Sequence, residues 1–202
     1  MRNNYLVQAW LVIALAVGFG AALAAVQVKL QSMIEDNKTA ETYDKIPELV
    51  GSLGGKPADK GKTQEFLLPG DRVAYKVFSA DGEHLGWVVR AVGDGFQDRI
   101  ELLIGLSRDA GKITGLDVLD QKETPGLGSK IKDPPTFRKQ FAGKPTDKLL
   151  SVKAKDPTNT KIVPISGATV SSEAVSDIVN KTVREFKESL RDPDKLKAKP
   201  KG

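Results

Sequence analysis

The chain has 202 residues and a formal net charge of +5, with 40% hydrophobic and 28% charged residues. That balance excludes wholesale disorder and leaves room for one ordinary folded domain once a membrane segment is subtracted. There is no cysteine, which excludes disulfides, thiolate-bound iron–sulfur clusters and thioether-linked haem, so a redox role would need an organic cofactor. The positive surplus is not gathered in a stripe with interleaved aromatics, which speaks against a nucleic-acid partner.

From Tyr5 to Val26 the residues read YLVQAWLVIALAVGFGAALAAV. Only Gln8 is strongly polar, and about 20 apolar residues suffice to cross a bilayer as a helix. Ala22-Leu23-Ala24 has the small-x-small pattern of a signal-peptide cleavage site. The apolar run nevertheless exceeds the usual signal core and leads directly into a polar amphipathic stretch, so residues 1–30 read as a retained single-pass anchor. Arg2 and the α-amino group place the N-terminus in the cytoplasm by the positive-inside bias. The domain is therefore expected on the periplasmic or extracellular side of the inner (cytoplasmic) membrane.

Residues 31–65 read as a short juxtamembrane helix, AETYDKIPELV, followed by the flexible connector GSLGGKPADKGKTQ. The folded domain is expected over 66–190. Its first part holds four β-branched segments, RVAYKVFSA, HLGWVVRAVG, DRIELLIGLS and KITGLDVLD. With turn residues between them, they predict an antiparallel meander. The single histidine, His84, falls in a hairpin turn and is given no function.

Next, DPPTFRKQFAGK predicts a short helix that ends near Gly143, and LLSVKAK and TKIVPIS predict two short strands. A last helix over about 170–190 carries Val170, Ala174, Val175, Ile178, Val179, Val183, Phe186 and Leu190 on one face. Strands first and helices mostly at the end make an α+β domain. Residues 191–202, rich in lysine, read as a solvated, disordered tail.

Two short stretches carry chemistry. Ser166-Gly167-Ala168-Thr169 lies between a strand and the last helix, where free amides and the helix dipole favour an anion such as phosphate. The bland alternative is a helix cap, since Ser and Thr often satisfy a helix-end amide. The other stretch, DQKETPGLGSKI, directly follows a predicted strand. Its two glycines flank a leucine, which fits close approach of a flat ligand.

ETPGLG followed by ISGATVSS resembles the G subunit of the Rnf electron-transport complex and the related C subunit of the sodium-translocating NADH:quinone oxidoreductase, both with FMN-binding domains. The likeness covers roughly Tyr5 to Leu190. It implies an FMN whose phosphate is esterified to Thr169 by a flavin transferase. Ser166, Gly167 and Ala168 would form the recognition turn, and Glu123, Thr124, Pro125, Gly126, Leu127 and Gly128 would line the flavin. Two positions depart from the family pattern: Val163 stands where an aspartate is usual, and Gln121 where histidine is frequent. Lys130 reads as a solvated surface lysine.

The resemblance implies a membrane-anchored electron carrier working with the other membrane subunits of an Rnf-type complex, which couples electron transfer between ferredoxin and NAD to ion translocation. The alternatives are the quinone-reductase C subunit, a stand-alone extracytoplasmic FMN carrier, and a binding module without flavin in which Thr169 only caps the helix. No His/Asp/Glu set has metal-ligand spacing, and His84 has no nucleophile beside it, which disfavours an independent hydrolase.

Overall fold

Strand β4 (Arg99–Ser107) is buried without interruption from Ile100 to Leu106. A strand with one wet face would alternate, so this run requires cover on both faces. The computed structural model describes residues 5–51, 58–59, 62–70, 72–132, 135–152 and 160–199, and it provides that cover. Ile100, Leu102, Ile104 and Leu106 enter one core, and Leu103 enters a second core on the opposite face.

The sheet consists of β1 (Gln64–Leu68), β2 (Arg72–Phe78), β3 (His84–Asp94), β4, β5 (Ile113–Gln121) and a short β8 (Lys197–Ala198). Its order is β5-β4-β3-β2-β1-β8, and every neighbouring pair is antiparallel. The expected meander, β2 to β5, is therefore present, and β1 and β8 extend it beyond β2 at one edge. β6 (Ser151–Val152) and β7 (Lys161–Ile162) form a separate parallel pair.

One face of the sheet is covered by α3 (Thr169–Arg191). Val175, Ile178, Val179, Val183 and Phe186 are all buried there, and full burial of such a side chain contributes roughly 1.5–3 kcal/mol. The expected helix after the prolines is a single turn, α2 (Thr136–Lys139), and the chain then continues in tighter i to i+3 turns up to Gly143. Phe137 and Phe141 bury their rings edge to face with centroids 5.5 Å apart.

The opposite face is covered by a segment expected to lie outside the domain. Instead of an anchor and a separate juxtamembrane helix, one helix, α1, runs from Tyr5 to Gly51. Residues up to Glu41 form a unit of their own, while Thr42–Gly51 belong to the domain. Within the first unit, Ala9–Gln31 is apolar and long enough to cross a membrane, with mean hydropathy 2.3.

Ile46, Leu49 and Val50 complete the second core with Tyr75, Val77, Val88, Leu103 and Leu119. The Thr114 hydroxyl donates to the Leu49 carbonyl. Gly105 lies directly beneath, where a Cβ would come 2.6 Å from that carbonyl oxygen. The buried Asp117 carboxylate joins Lys45 of α1, at 3.5 Å, to Arg138 of α2.

The expected disordered tail is partly ordered. Lys197–Ala198 pairs with Phe66–Leu67. The Lys199 amide and ammonium each reach Glu65, both at 2.9 Å. Alternating lysines and small residues suit a sheet edge, because the charges face water and deter further strand addition. Most of the expected connector, residues 153–159 of the expected strand region, Arg2 and the chain beyond Lys199 lie outside the described residues.

Two outcomes follow from this packing. Gly105→Ala should destabilise the domain by about 1–3 kcal/mol, the usual cost of forcing a group into a filled core. Urea unfolding would read it as a lower midpoint at unchanged slope. His84 packs against Phe78 and Trp87, and burial, followed by the nearby Lys76 charge, lowers its pKa. The unfolded chain then binds the proton more readily than the folded one. Stability from this group is present above the unfolded pKa of about 6.5 and is lost as pH falls through the lower folded value. A thermal-melt series from pH 7.5 to 5 should show that loss, and His84→Phe should flatten it.

Candidate functional site: a cleft between two glycine turns

Both sequence motifs fold as the same kind of turn. In Thr124-Pro125-Gly126-Leu127 the Leu127 amide returns to the Thr124 carbonyl at 3.1 Å. Gly126, at the third position, has φ +76°. In Ile165-Ser166-Gly167-Ala168 the Ala168 amide returns to the Ile165 carbonyl at 2.9 Å, with Gly167 at φ +78°. These are type II turns, whose third position needs a positive φ and so favours glycine.

The two turns touch. A Cβ on Gly167 would lie 3.2 Å from Cδ2 of Leu127, so the missing side chain leaves the space that the leucine methyl fills. Between the turns is an open cleft of about 300 Å³. Glu123, Thr124, Leu127 and Gly128 line it from one motif, and Gly167, Ala168 and Thr169 from the other. Pro125, Gly126 and Ser166 shape the turns without lining the cleft, and exposed Lys130 is not part of its wall.

Three further lining residues escape the sequence reading: Phe96, Val170 and Ser171. Val170 was legible only as a member of the apolar helix face, yet it is exposed. Ser171 is buried, and its hydroxyl donates to the Glu123 carboxylate. Phe96 lies in the β3–β4 turn and comes from a part of the sequence that no motif marks. The one available signal was a large aromatic in an otherwise polar turn.

Glu123 is buried, and its oxygens are taken by the protein: one by Ser171, the other by the Gln97 amide at 3.1 Å. Its own amide donates to Gln121 at 2.7 Å. In the same turn, Asp98 has its pKa lowered first by the hydrogen bond from the Arg99 amide and then by Lys122.

Thr169 is the first residue of α3 and exposed. The helix cap is Ala168, which has no side-chain donor or acceptor to offer, so Thr169 is not the helix cap that the bland alternative requires. Among the described residues its hydroxyl has no hydrogen-bond partner. The bracing falls instead to Ser172, whose hydroxyl accepts from the Ile165 amide at 3.1 Å and donates to the Ala168 carbonyl at 2.8 Å. Val163, where the family pattern has aspartate, is held through its backbone. The Gln140 side chain bonds both its amide, at 2.8 Å, and its carbonyl, at 3.1 Å.

Among the described residues, the wall of the cleft contains no lysine or arginine, and its only ionisable residue is the engaged Glu123. An anion there would rely on the first-turn amides of α3 and the helix dipole. The remainder of the wall is mostly apolar, suited to a flat ring. A phosphate joined to an aromatic ring therefore fits the donors and space present. The glycine at 128 is needed as well, because a Cβ there would come 2.7 Å from the Ser171 oxygen and 2.8 Å from Glu123.

These features suit a phosphate joined to a flat ring, and the chain is similar to a family whose description names such a ligand. Residues 95–184 match a family described as "FMN-binding domain". The chain resembles the G subunit of an ion-translocating oxidoreductase complex from Methanosarcina acetivorans, at 37% identity over 54% of this chain and 55% of that one. It also resembles the G subunit of the Na(+)-translocating ferredoxin:NAD(+) oxidoreductase complex of Acetobacterium woodii, at 32% identity over 58% and 57%. The chain thus spans little more than half the length of these curated relatives. The crystal structure of Shewanella oneidensis NqrC has a similar fold, with TM-score 0.52 and 25% identity over 60% of this chain and 61% of that one.

The site separates two glycine substitutions. Gly126→Ala meets open space and should cost only the left-handed backbone penalty, about 1–2 kcal/mol. Gly128→Ala should cost about 1–3 kcal/mol by overpacking and also push Ser171 off Glu123. Hydrogen exchange of the Ser172 amide, which donates to the Ala168 carbonyl at 3.0 Å, should accelerate in Gly128→Ala alone. Equal acceleration in both variants would mean that the Glu123–Ser171 contact does not hold that turn.

Proposed function

We propose that this chain is a membrane-anchored flavoprotein electron carrier whose FMN is joined through its phosphate to Thr169 by a flavin transferase. The observation that carries this reading is the cleft, where both motifs meet at an exposed threonine on a helix N-terminus, with no cation in the wall among the described residues. A phosphate held by amides and dipole alone would exchange with solvent, and an ester bond to Thr169 prevents that loss. FMN, once bound, accepts and releases electrons singly or in pairs.

The protein's own residues have assignable tasks. First-turn amides of α3 take the phosphate oxygens, and Ser166, Gly167 and Ala168 form the turn that the transferase recognises. Leu127 and its flanking turn, Glu123 to Gly128, make the wall beside the ring. Ala9–Gln31 anchors the chain in the inner membrane, with the domain on the periplasmic or extracellular side. The partners are the other membrane subunits of an Rnf-type complex, which moves electrons between ferredoxin and NAD and couples this to ion translocation. The similarity to the two G subunits supports that assignment.

The second reading is the C subunit of a sodium-translocating NADH:quinone oxidoreductase, favoured by the fold likeness to NqrC. The subunits that co-purify with the chain distinguish the two.

Mass spectrometry of the chain from its native membrane tests the attachment. The peptide containing Thr169 should carry the mass of FMN less one water, and Thr169→Ala should lack it. An unmodified Thr169 in cells whose transferase modifies other proteins would end the covalent reading.

A further inference from the structure

The side chains of Glu123 and Thr124 reach across to the β3–β4 turn, residues 95–98. One Glu123 oxygen accepts from the Gln97 amide at 3.1 Å, and the Thr124 hydroxyl donates to the Gln97 side-chain oxygen at 3.2 Å. The turn closes on itself through the Gly95 amide and Asp98 carbonyl at 2.8 Å. It can come this close only because residue 95 has no side chain, since a Cβ there would overlap Glu123 and lie 2.8 Å from Ile100. The other Glu123 oxygen is held by Ser171 in the first turn of α3. One buried carboxylate thus fixes the β3–β4 turn, the ETPG turn and the start of α3 to each other.

The braced turn presents Phe96, which is 66% exposed while it lines the same cleft as Thr169. An aromatic left in water on a turn so firmly held gains nothing for the fold, whereas a flat ring in the cleft would cover it and gain stacking or edge contact. Phe96 and Thr169 line the same cleft of about 300 Å³, so a ring system tethered at Thr169 and lying within it can reach Phe96.

We infer that Phe96 is a cofactor-contacting residue that packs on the isoalloxazine ring, and that Glu123 is the positioning residue that holds it there. The inference rests on the proposed flavin attachment and adds to it a contact that neither motif contains.

The test uses the full chain, flavinylated in its native host, with emission lifetime of the flavin as the readout. An indole in contact with an excited flavin quenches it by passing one electron to the flavin, which returns to the indole, so no net oxidation occurs. Phe96→Trp should therefore remove most of the long-lived emission. Leu149→Trp, at an exposed residue on the wall of a different cleft, should not. Placing Glu123→Ala in the Phe96→Trp chain should restore part of the emission, whereas Glu123→Gln, whose amide oxygen can still accept from the Gln97 amide while its NH2 donates to the Ser171 hydroxyl, should not. Unchanged emission in Phe96→Trp with the adduct present on Thr169 overturns the contact. Quenching that persists in Glu123→Ala overturns the positioning role, and if that variant fails to fold, the Phe96→Trp and Glu123→Gln arms still decide the proposal. If wild-type Thr169 carries no adduct, the attachment itself fails, and the mass of its peptide identifies that outcome separately.

Discussion

The sheet is apolar on both faces, and the rest of the domain follows from covering it. β4 sends Ile100, Leu102, Ile104 and Leu106 one way and Leu103 the other. Neither set tolerates water, since each large side chain left exposed forfeits roughly 1.5–3 kcal/mol. α3 closes one face and Thr42–Gly51 the other. Because α3 must lie along that face, its first residue, Thr169, comes to rest beside the loop that leaves β5. The position of the cleft is a consequence of where the long helix has to pack.

Within that frame the site is an assembly of turns held by small-residue chemistry. Gly126 and Gly167 allow two type II turns, and Gly167 and Gly128 leave the room that Leu127 and the Glu123–Ser171 pair occupy. Ser172 secures the turn before α3 through its hydroxyl. The polar groups that a sequence reader assigns to a ligand are partly engaged by the protein. Glu123 is the clearest case: it belongs to the motif, yet it serves as a buried brace. A buried carboxylate demands hydrogen-bond partners, and it finds them on two segments far apart in sequence, 97 and 171.

Thr42–Gly51 is part of the domain's own core, tied by the Thr114–Leu49 bond and by Asp117 between Lys45 and Arg138. These residues continue the same helix that begins at Tyr5. Their sequence, with apolar positions separated by charges, reads equally well as a surface juxtamembrane helix. Only the presence of a second apolar face on the sheet tells the two apart.

The sequence by itself determined strands β2 to β5, the long last helix, the apolar N-terminal segment and the two motifs. Each of these is a local property: alternating or periodic burial, turn glycines, a run of apolar residues. It also placed Thr169 at a helix start, because small residues between a strand and an amphipathic stretch can do little else. Tertiary structure alone decided which groups share the cleft. Phe96 joins it from a turn without a motif, Ser171 from an apparently ordinary helical position, and Lys197–Ala198 becomes a strand because Phe66–Leu67 offers an open edge. These are encounters between segments distant along the chain, and their energy comes from burial and hydrogen bonding that exist only once the sheet has been covered on both sides.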